Sequence, residues 1–196
     1  MAVSLSHPDE LLVLSRLSPE LCEKAKKIRL LALDVDGILT DGGLIYSEHG
    51  ESLKRFHALD GHGLKMLMES GIEVAILTGR SGEITVRRCA ELGVSKVFQS
   101  VRNKAQLLAE LVHDLRMDMQ EVAFVGDDLI DMEAMRNSGL SISVPNAPIY
   151  VQNYANYVTS REGGRGAVRE VADIILAAQH KLAPFFKHHL TGNFIQ

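Results

Sequence analysis

Ile28-Arg29-Leu30-Leu31-Ala32-Leu33-Asp34-Val35-Asp36-Gly37 carries an apolar run directly into two carboxylates one residue apart. The run has the composition of a strand buried on both faces, as in a parallel sheet. A carboxylate at the end of such a strand must be hydrogen-bonded, paired or metal-bound, because an isolated buried charge is too costly. On a continuing strand, alternate side chains would point to opposite faces. Gly37 lets the chain turn, so Asp34 and Asp36 can reach one site above the sheet edge. Alone, the pair is also readable, with less weight, as a strand end with two solvated aspartates.

The segments around it follow an alternating pattern. Upstream, Glu10 to Leu17 is a short helical stretch, and Ser18-Pro19-Glu20 starts a helix reaching about Lys27. Downstream, Leu44 to Tyr46 and Ser52 to Phe56 flank the turn-rich segment Ser47 to Glu51, which predicts a β-hairpin. Gly63 to Ser70 reads as a helix stopped by Gly71. Strands are then expected at Ile72 to Leu77, Lys96 to Gln99, Glu121 to Val125, Leu140 to Val144 and Tyr157 to Thr159. Helices are expected at Gly82 to Leu92, Lys104 to Leu115, Leu129 to Asn137 and Ala167 to Lys181. This alternation predicts an α/β fold, a mostly parallel Rossmann-like sheet flanked by helices. The tail 184–196 shows no pattern and reads as irregular.

Length and composition narrow the possibilities. The 196 residues suit a single domain spanning 1–196, with a core of about 25–182. At 46% hydrophobic and 23% charged, the chain resembles an ordinary soluble globular protein. A formal charge of −4 without any Lys/Arg block argues against nucleic acid or an anionic membrane as partner. Cys22 and Cys89 lie in helical patterns without ligand-like neighbours, which argues against zinc or a disulfide framework. There is no signal pattern and no membrane-length apolar run, so a cytoplasmic location is expected.

Three apolar strands finish in polar residues suited to one reaction. The first ends in Asp34-Val35-Asp36, the second in Thr78-Gly79-Arg80, and the third in Gly126-Asp127-Asp128, with Asp131 one helical turn on. In open α/β sheets, sites form beyond the carboxyl ends of the strands. Lys104 opens a helix, where the helix dipole disfavours a cation, and so points to a nearby anion. Asp34, Asp36 and Asp127 supply hard oxygen ligands, and without His/Cys clusters these favour Mg2+. Mg2+ would let Asp34 approach a phosphate and attack it as a nucleophile. Thr78, the Gly79 amide and Lys104 could hold the transferring oxygens, and Asp36 could move the proton.

These motifs, in this order and spacing, resemble the haloacid-dehalogenase superfamily. Gly42 to Tyr46, Phe56 to Gly63, Gly126 to Asp131 and Gly163 to Glu170 narrow the likeness to the 3-deoxy-D-manno-octulosonate 8-phosphate phosphatase family, over roughly residues 25–182. That resemblance implies hydrolysis of a sugar-acid phosphate in lipopolysaccharide biosynthesis through an aspartyl-phosphate. It makes Asp34 the nucleophile, Asp36 the acid/base, and Asp34, Asp127 and the Asp36 carbonyl the Mg2+ ligands. Substrate contacts would come from Asp36, His57, Ala58, Leu59, Asp60, Gly61, Lys65, Gly79, Arg80, Arg88, Lys104 and Arg165.

The chain also departs from the family pattern. Leu59 stands where the family carries a cation, and Lys65 stands where some members carry Arg, whose bidentate fork a lysine cannot reproduce. His57 and His62 could line the pocket or be surface residues, whereas His188-His189 reads as solvated. Asp128 and Asp131 could cap a helix or support the metal site, with support favoured for Asp131.

The segments between Asp36 and Thr78, and between Arg80 and the next strand, are filled by a hairpin and helices, leaving no room for a cap domain. Exposed hairpin residues (Leu44, Ile45, Leu53, Phe56) suggest association between subunits. The resemblance implies a homotetramer in which Arg165 or the tail after Pro184 closes a neighbour's pocket. Two other readings stay open at this point. One is a phosphatase of another sugar-acid phosphate of sialic-acid type; the other is a non-catalytic or receiver-like phosphate-binding module.

Overall fold

In the computed structural model, which describes residues 7–190, the opening stretch supplies an inner strand of a six-stranded parallel sheet. In chain order the elements are α1 (Pro8–Leu14), α2 (Pro19–Lys27), β1 (Leu30–Leu33), β2 (Ile45–Ser47), β3 (Gly50–Leu53), α3 (Ala58–Glu69), β4 (Glu73–Leu77), α4 (Glu83–Leu92), β5 (Lys96–Phe98), α5 (Lys104–Asp114), β6 (Val122–Val125), α6 (Met132–Asn137), β7 (Leu140–Ser143), α7 (Ile149–Gln152), β8 (Tyr157–Val158), α8 (Ala167–Ala178) and α9 (Ala183–Leu190). Short 3-10 turns at Met119–Glu121 and Leu129–Asp131 lead into β6 and α6. The strand order is β5-β4-β1-β6-β7-β8, and β2 pairs with β3 as a separate antiparallel hairpin.

β1 is flanked by β4 and β6, in register Leu33 with Ile76 and Leu33 with Val125, so the carboxyl ends of these three strands lie side by side. Every residue of β1 and β6 is fully buried, as their unbroken apolar composition requires. Helices α1, α2 and α3 pack on α8, and α4 packs on α3; α5 and α6 pack together. The chain therefore changes direction along the sheet at β1, the place where open α/β sheets form their sites.

Some expectations need correction. The hairpin turns more tightly than the sequence suggests: Gly50 adopts φ +109°, so β3 begins there and only Glu48-His49 bridge the strands. Helix α3 starts at Ala58 rather than Gly63. Glycines weaken an isolated helix, but here the bare Gly63 is needed: a Cβ would stand 3.1 Å from the Ala172 Cβ and 3.2 Å from the Arg169 Cα on α8. The tail expected to be irregular is helical to Leu190. Pro184 sits in the first turn of α9, where its missing N–H costs nothing, and buried Glu10 accepts from the amides of Leu182 (3.1 Å) and Ala183 (2.8 Å). Residues 191–196 and the side chains of His188 and His189 lie outside the described structure.

Candidate active site

At the shared strand ends, the side chains singled out from the sequence do converge. Asp34, Thr78, Lys104 and Asp131 are all buried. Lys104 begins α5, yet its ammonium turns inward, 2.9 Å from Asp34 Oδ1 and 2.6 Å from Asp131 Oδ1. Asn103 takes over the capping of the helix by accepting from the Gln106 amide (2.9 Å). Two carboxylates thus offset both the helix dipole and the cost of burying the ammonium. Burial pulls the Lys104 pKa down, but Asp131 and Asp34 together raise it above its ordinary value, so it stays charged.

The carboxylates feel the opposite force. Burial pushes Asp34 up to about 6; Lys104 opposes that rise and Asp131 adds to it. Asp127 is pushed up to about 7 by burial and by the neighbouring Asp34, Asp131 and Asp128. Two acids held above their ordinary range by crowding and burial form a site short of positive charge. Backbone geometry enforces the crowding: Gly37 adopts φ +88°, and a Cβ there would lie 1.9 Å from Asp127 Oδ2. Only glycine lets the β1 loop pass so close to the end of β6.

The donor set fits a hard divalent cation. Asp34, Asp127 and Asp131 each offer an oxygen, all within 4.8 Å of one another, and Asp127 Oδ1 is buried without a hydrogen-bond partner. Asp131 is already engaged. Besides Lys104, it accepts from the backbone amides of Asp127 (3.2 Å) and Asp128 (3.3 Å). Its work is to orient Lys104 and the Asp127 loop, which leaves Asp34 and Asp127 with oxygens available to a cation.

Asp36 stands at the rim, where hairpin residues that sequence reasoning missed take hold of it. The Lys54 ammonium donates to Asp36 Oδ1 and lies 3.1 Å from Glu51 Oε1. Arg80 donates to Glu51 Oε1 (3.3 Å) and to the Tyr46 hydroxyl (2.5 Å), and its Nε faces Asp36 Oδ2 at 3.6 Å. Thr78 Oγ1 accepts from the Arg80 amide (3.2 Å), which ties this rim to the end of β4. Tyr46 closes one of the motifs that carry the family resemblance, but nothing in the sequence links it, Glu51 or Lys54 to Asp36 or Arg80, because alternation along a hairpin does not say which residues fold back.

The remaining expected contacts do not gather on the carboxylates. Ala58, Leu59 and Lys65 are exposed along α3. Asp60 is buried and accepts from the amides of Gly166 (3.1 Å) and Arg169 (2.8 Å), so it anchors the first turn of α8. Burial raises its pKa, and those amides oppose the rise. Gly61 lies against the Arg88 guanidinium, which sits over the Phe56 ring and 3.4 Å from Glu91. Arg165 is exposed, 3.3 Å from Glu162. His57, Leu59 and Arg165 do meet, in the wall of a cavity of about 700 Å³ between α1, α3 and α8 that none of Asp34, Asp36 or Asp127 lines.

The Gly163-Gly164-Arg165-Gly166 segment has its own reason. A Cβ on Gly163 would stand 1.6 Å from the Gly37 carbonyl oxygen, and the Gly164 amide donates to the Ile38 carbonyl (2.8 Å). Its glycines let this loop lie flat on the backbone that carries Asp36.

Comparison with known proteins places the chain in a family. Residues 90–171 match the family model of haloacid dehalogenase-like hydrolases. The 3-deoxy-D-manno-octulosonate 8-phosphate phosphatase of Salmonella typhimurium is 46% identical over 166 residues, which is 85% of this chain and 88% of that protein. The crystal structure of the Moraxella catarrhalis enzyme of the same name, in complex with magnesium ion, phosphate ion and a KDO molecule, superposes with a TM-score of 0.86 at 43% identity, covering 88% of this chain and 99% of that one. A cobalt-bound Haemophilus influenzae structure superposes with a TM-score of 0.82 at 42% identity, covering 85% of this chain and 97% of that one. With identity at this level across most of each chain, the protein belongs to the 3-deoxy-D-manno-octulosonate 8-phosphate phosphatase family of haloacid dehalogenase-like hydrolases.

Proposed function

We propose that the chain is a Mg2+-dependent phosphatase converting 3-deoxy-D-manno-octulosonate 8-phosphate to the free sugar acid and phosphate through an aspartyl-phosphate on Asp34. The observation that carries this reading is the strand-end cluster: a buried Asp34 beside Lys104 and an unpartnered Asp127 oxygen. It occurs in a chain 43% identical to an enzyme crystallised with magnesium, phosphate and KDO. Asp34, Asp127 and the Asp36 carbonyl would hold Mg2+, which supplies the positive charge a carboxylate needs to approach a phosphate dianion.

In the first step an Asp34 oxygen bonds to phosphorus as the bond from phosphorus to the sugar oxygen breaks, and Asp36 gives its proton to that oxygen. In the second, the Asp36 carboxylate takes a proton from water while the water oxygen attacks phosphorus. The bond to Asp34 breaks and phosphate leaves. Thr78, the Gly79 amide and Lys104 hold the phosphoryl oxygens, where negative charge builds. Arg80, at the rim beside Asp36, would meet the sugar acid, whose carboxylate suits a guanidinium.

The same reading makes the working unit a homotetramer. Leu44, Ile45 and Leu53 of the hairpin are 48%, 47% and 60% exposed, an apolar surface suited to a second copy. Arg165 and the chain after Pro184 would then help close a neighbour's site together with the His57 to Gly61 segment, Lys65 and Arg88. No helix among the described residues is long and apolar enough to cross a membrane. A phosphatase of another eight- or nine-carbon sugar acid is the second reading, favoured by the half-exposed alkyl side chain of Leu59 in the cavity wall.

Phosphate release from a panel of sugar-acid phosphates, with and without Mg2+, tests the proposal. The expected result is Mg2+-dependent hydrolysis with the eight-carbon ester preferred and no turnover by Asp34→Asn. Preference for a nine-carbon ester would select the second reading, and turnover surviving in Asp34→Asn would remove the aspartyl-phosphate.

A further inference from the structure

The hairpin contributes one feature to the site that its own pairing does not require. β2 is exposed throughout and β3 ends in exposed Leu53, yet the next residue, Lys54, has a side chain only 3% exposed. A lysine on a solvated ribbon ordinarily keeps its ammonium in water, because burying it costs several kcal/mol unless it is well paired. Here the ammonium is inserted between Asp36 and Glu51. Glu51 is itself mostly buried and also receives Arg80, so one carboxylate fixes both cations that face Asp36. The two Asp36 oxygens are left unequal. Oδ1 is held by Lys54, whereas Oδ2 is buried without a hydrogen-bond partner, and Arg80 Nε at 3.6 Å is too far to occupy it.

Proton transfer requires the acid within hydrogen-bond reach of the ester oxygen, at a fixed angle. Asp36 follows the end of β1 on a turning loop, so the strand does not fix its side chain as it fixes Asp34. We infer that Lys54 is a positioning residue: it clamps Asp36 Oδ1 so that Oδ2 is presented to the leaving oxygen, and Glu51 holds the clamp in place. This inference rests on the reading of Asp36 as the proton donor. It places part of the catalytic geometry on the hairpin rather than on the sheet.

The test uses leaving groups. An alkyl ester needs its oxygen protonated as it departs, whereas p-nitrophenolate leaves without protonation. The quantity kcat/KM reports the first phosphoryl transfer for both esters, before the shared water step. For Lys54→Met the expected loss in kcat/KM is about 10²-fold on an alkyl phosphate and no more than about threefold on p-nitrophenyl phosphate. Asp36→Asn should show the same split, and Glu51→Gln a smaller one in the same direction. Equal losses on the two esters, or no loss on either, would overturn the inference, since simple disruption of the site does not discriminate between leaving groups.

Thermal melts establish whether Lys54→Met folds; if it does not, Glu51→Gln decides by the same criterion. The alkyl ester can be any alkyl phosphate that the native enzyme hydrolyses. Failure of the sugar assignment is therefore distinguishable from failure of the clamp.

Discussion

The ends of β1, β4 and β6 and the hairpin β2–β3 meet around Asp36, but they hold their side chains in different ways. At the strand ends, parallel pairing sets the backbone, burial is nearly complete, and Asp34, Lys104 and Asp131 form a continuous charged array with one cation between two carboxylates. On the hairpin most side chains face solvent, and two charged ones fold back to reach Asp36 and Arg80. On the proposed mechanism, the difference would separate the two halves of the reaction. The nucleophile would stand at the end of a buried sheet strand, and the group that moves the proton would be oriented by a largely exposed hairpin.

Four outcomes would break or sharpen that contrast. The largest effect is expected from Asp34→Asn, which should lower phosphate release at least about 10⁴-fold while the chain stays folded by circular dichroism. A modest loss would mean that the sheet does not supply the nucleophile. Next is Lys104→Met, which removes the only cation between two buried carboxylates among the described contacts. Turnover should fall about 10²- to 10³-fold, and urea unfolding should report a loss of about 3–5 kcal/mol. A comparable stability loss from a hairpin cation such as Arg55, exposed and paired with Asp41, would erase the distinction between the regions.

The third outcome concerns pH. In the metal-free fold Asp34 and Asp127 hold protons up to about 6 and about 7, whereas in the unfolded chain they release them near the ordinary carboxylate value. Their raised values therefore favour the metal-free fold at low pH, and that contribution is lost as pH rises through 6 and 7. Because Mg2+ must displace those protons, its shift of the melting temperature should grow from about pH 5 to about pH 8. A shift independent of pH would place the cation elsewhere.

The smallest effect is expected from Leu53→Ser. Since Leu53 is exposed, the substitution should change the stability of a single chain by less than about 0.5 kcal/mol. Sedimentation velocity should nonetheless show smaller species if the hairpins hold copies together. An unchanged distribution would confine the hairpin's role to Asp36.

Much of the sheet region was legible without coordinates. Asp34, Thr78 and Asp127 each end an apolar run, and Lys104 stands at a helix start where a cation needs a reason; both signals are local. The rim was not legible in the same way. Lys54 meets Asp36 across 18 residues of chain, and Tyr46 meets Arg80 across 34, with no periodicity linking either pair. Helix α3 began earlier than expected because its first turn is held by contacts distant in sequence: buried Asp60 accepts from the amides of Gly166 and Arg169, and Gly61 leaves room for Arg88.

By itself, then, the sequence determined the α/β alternation, the turn at Gly37 and the carboxylates that end the strands. Burial periodicity and backbone freedom are properties of neighbouring residues, and they survive in a linear chain. Only the tertiary structure decided that Asp131 serves Lys104, that Asp60 anchors α8, and that a hairpin lysine grips Asp36. A charge chooses its partner from whatever the fold brings within a few ångströms, and that choice is not written in the spacing of residues along the chain.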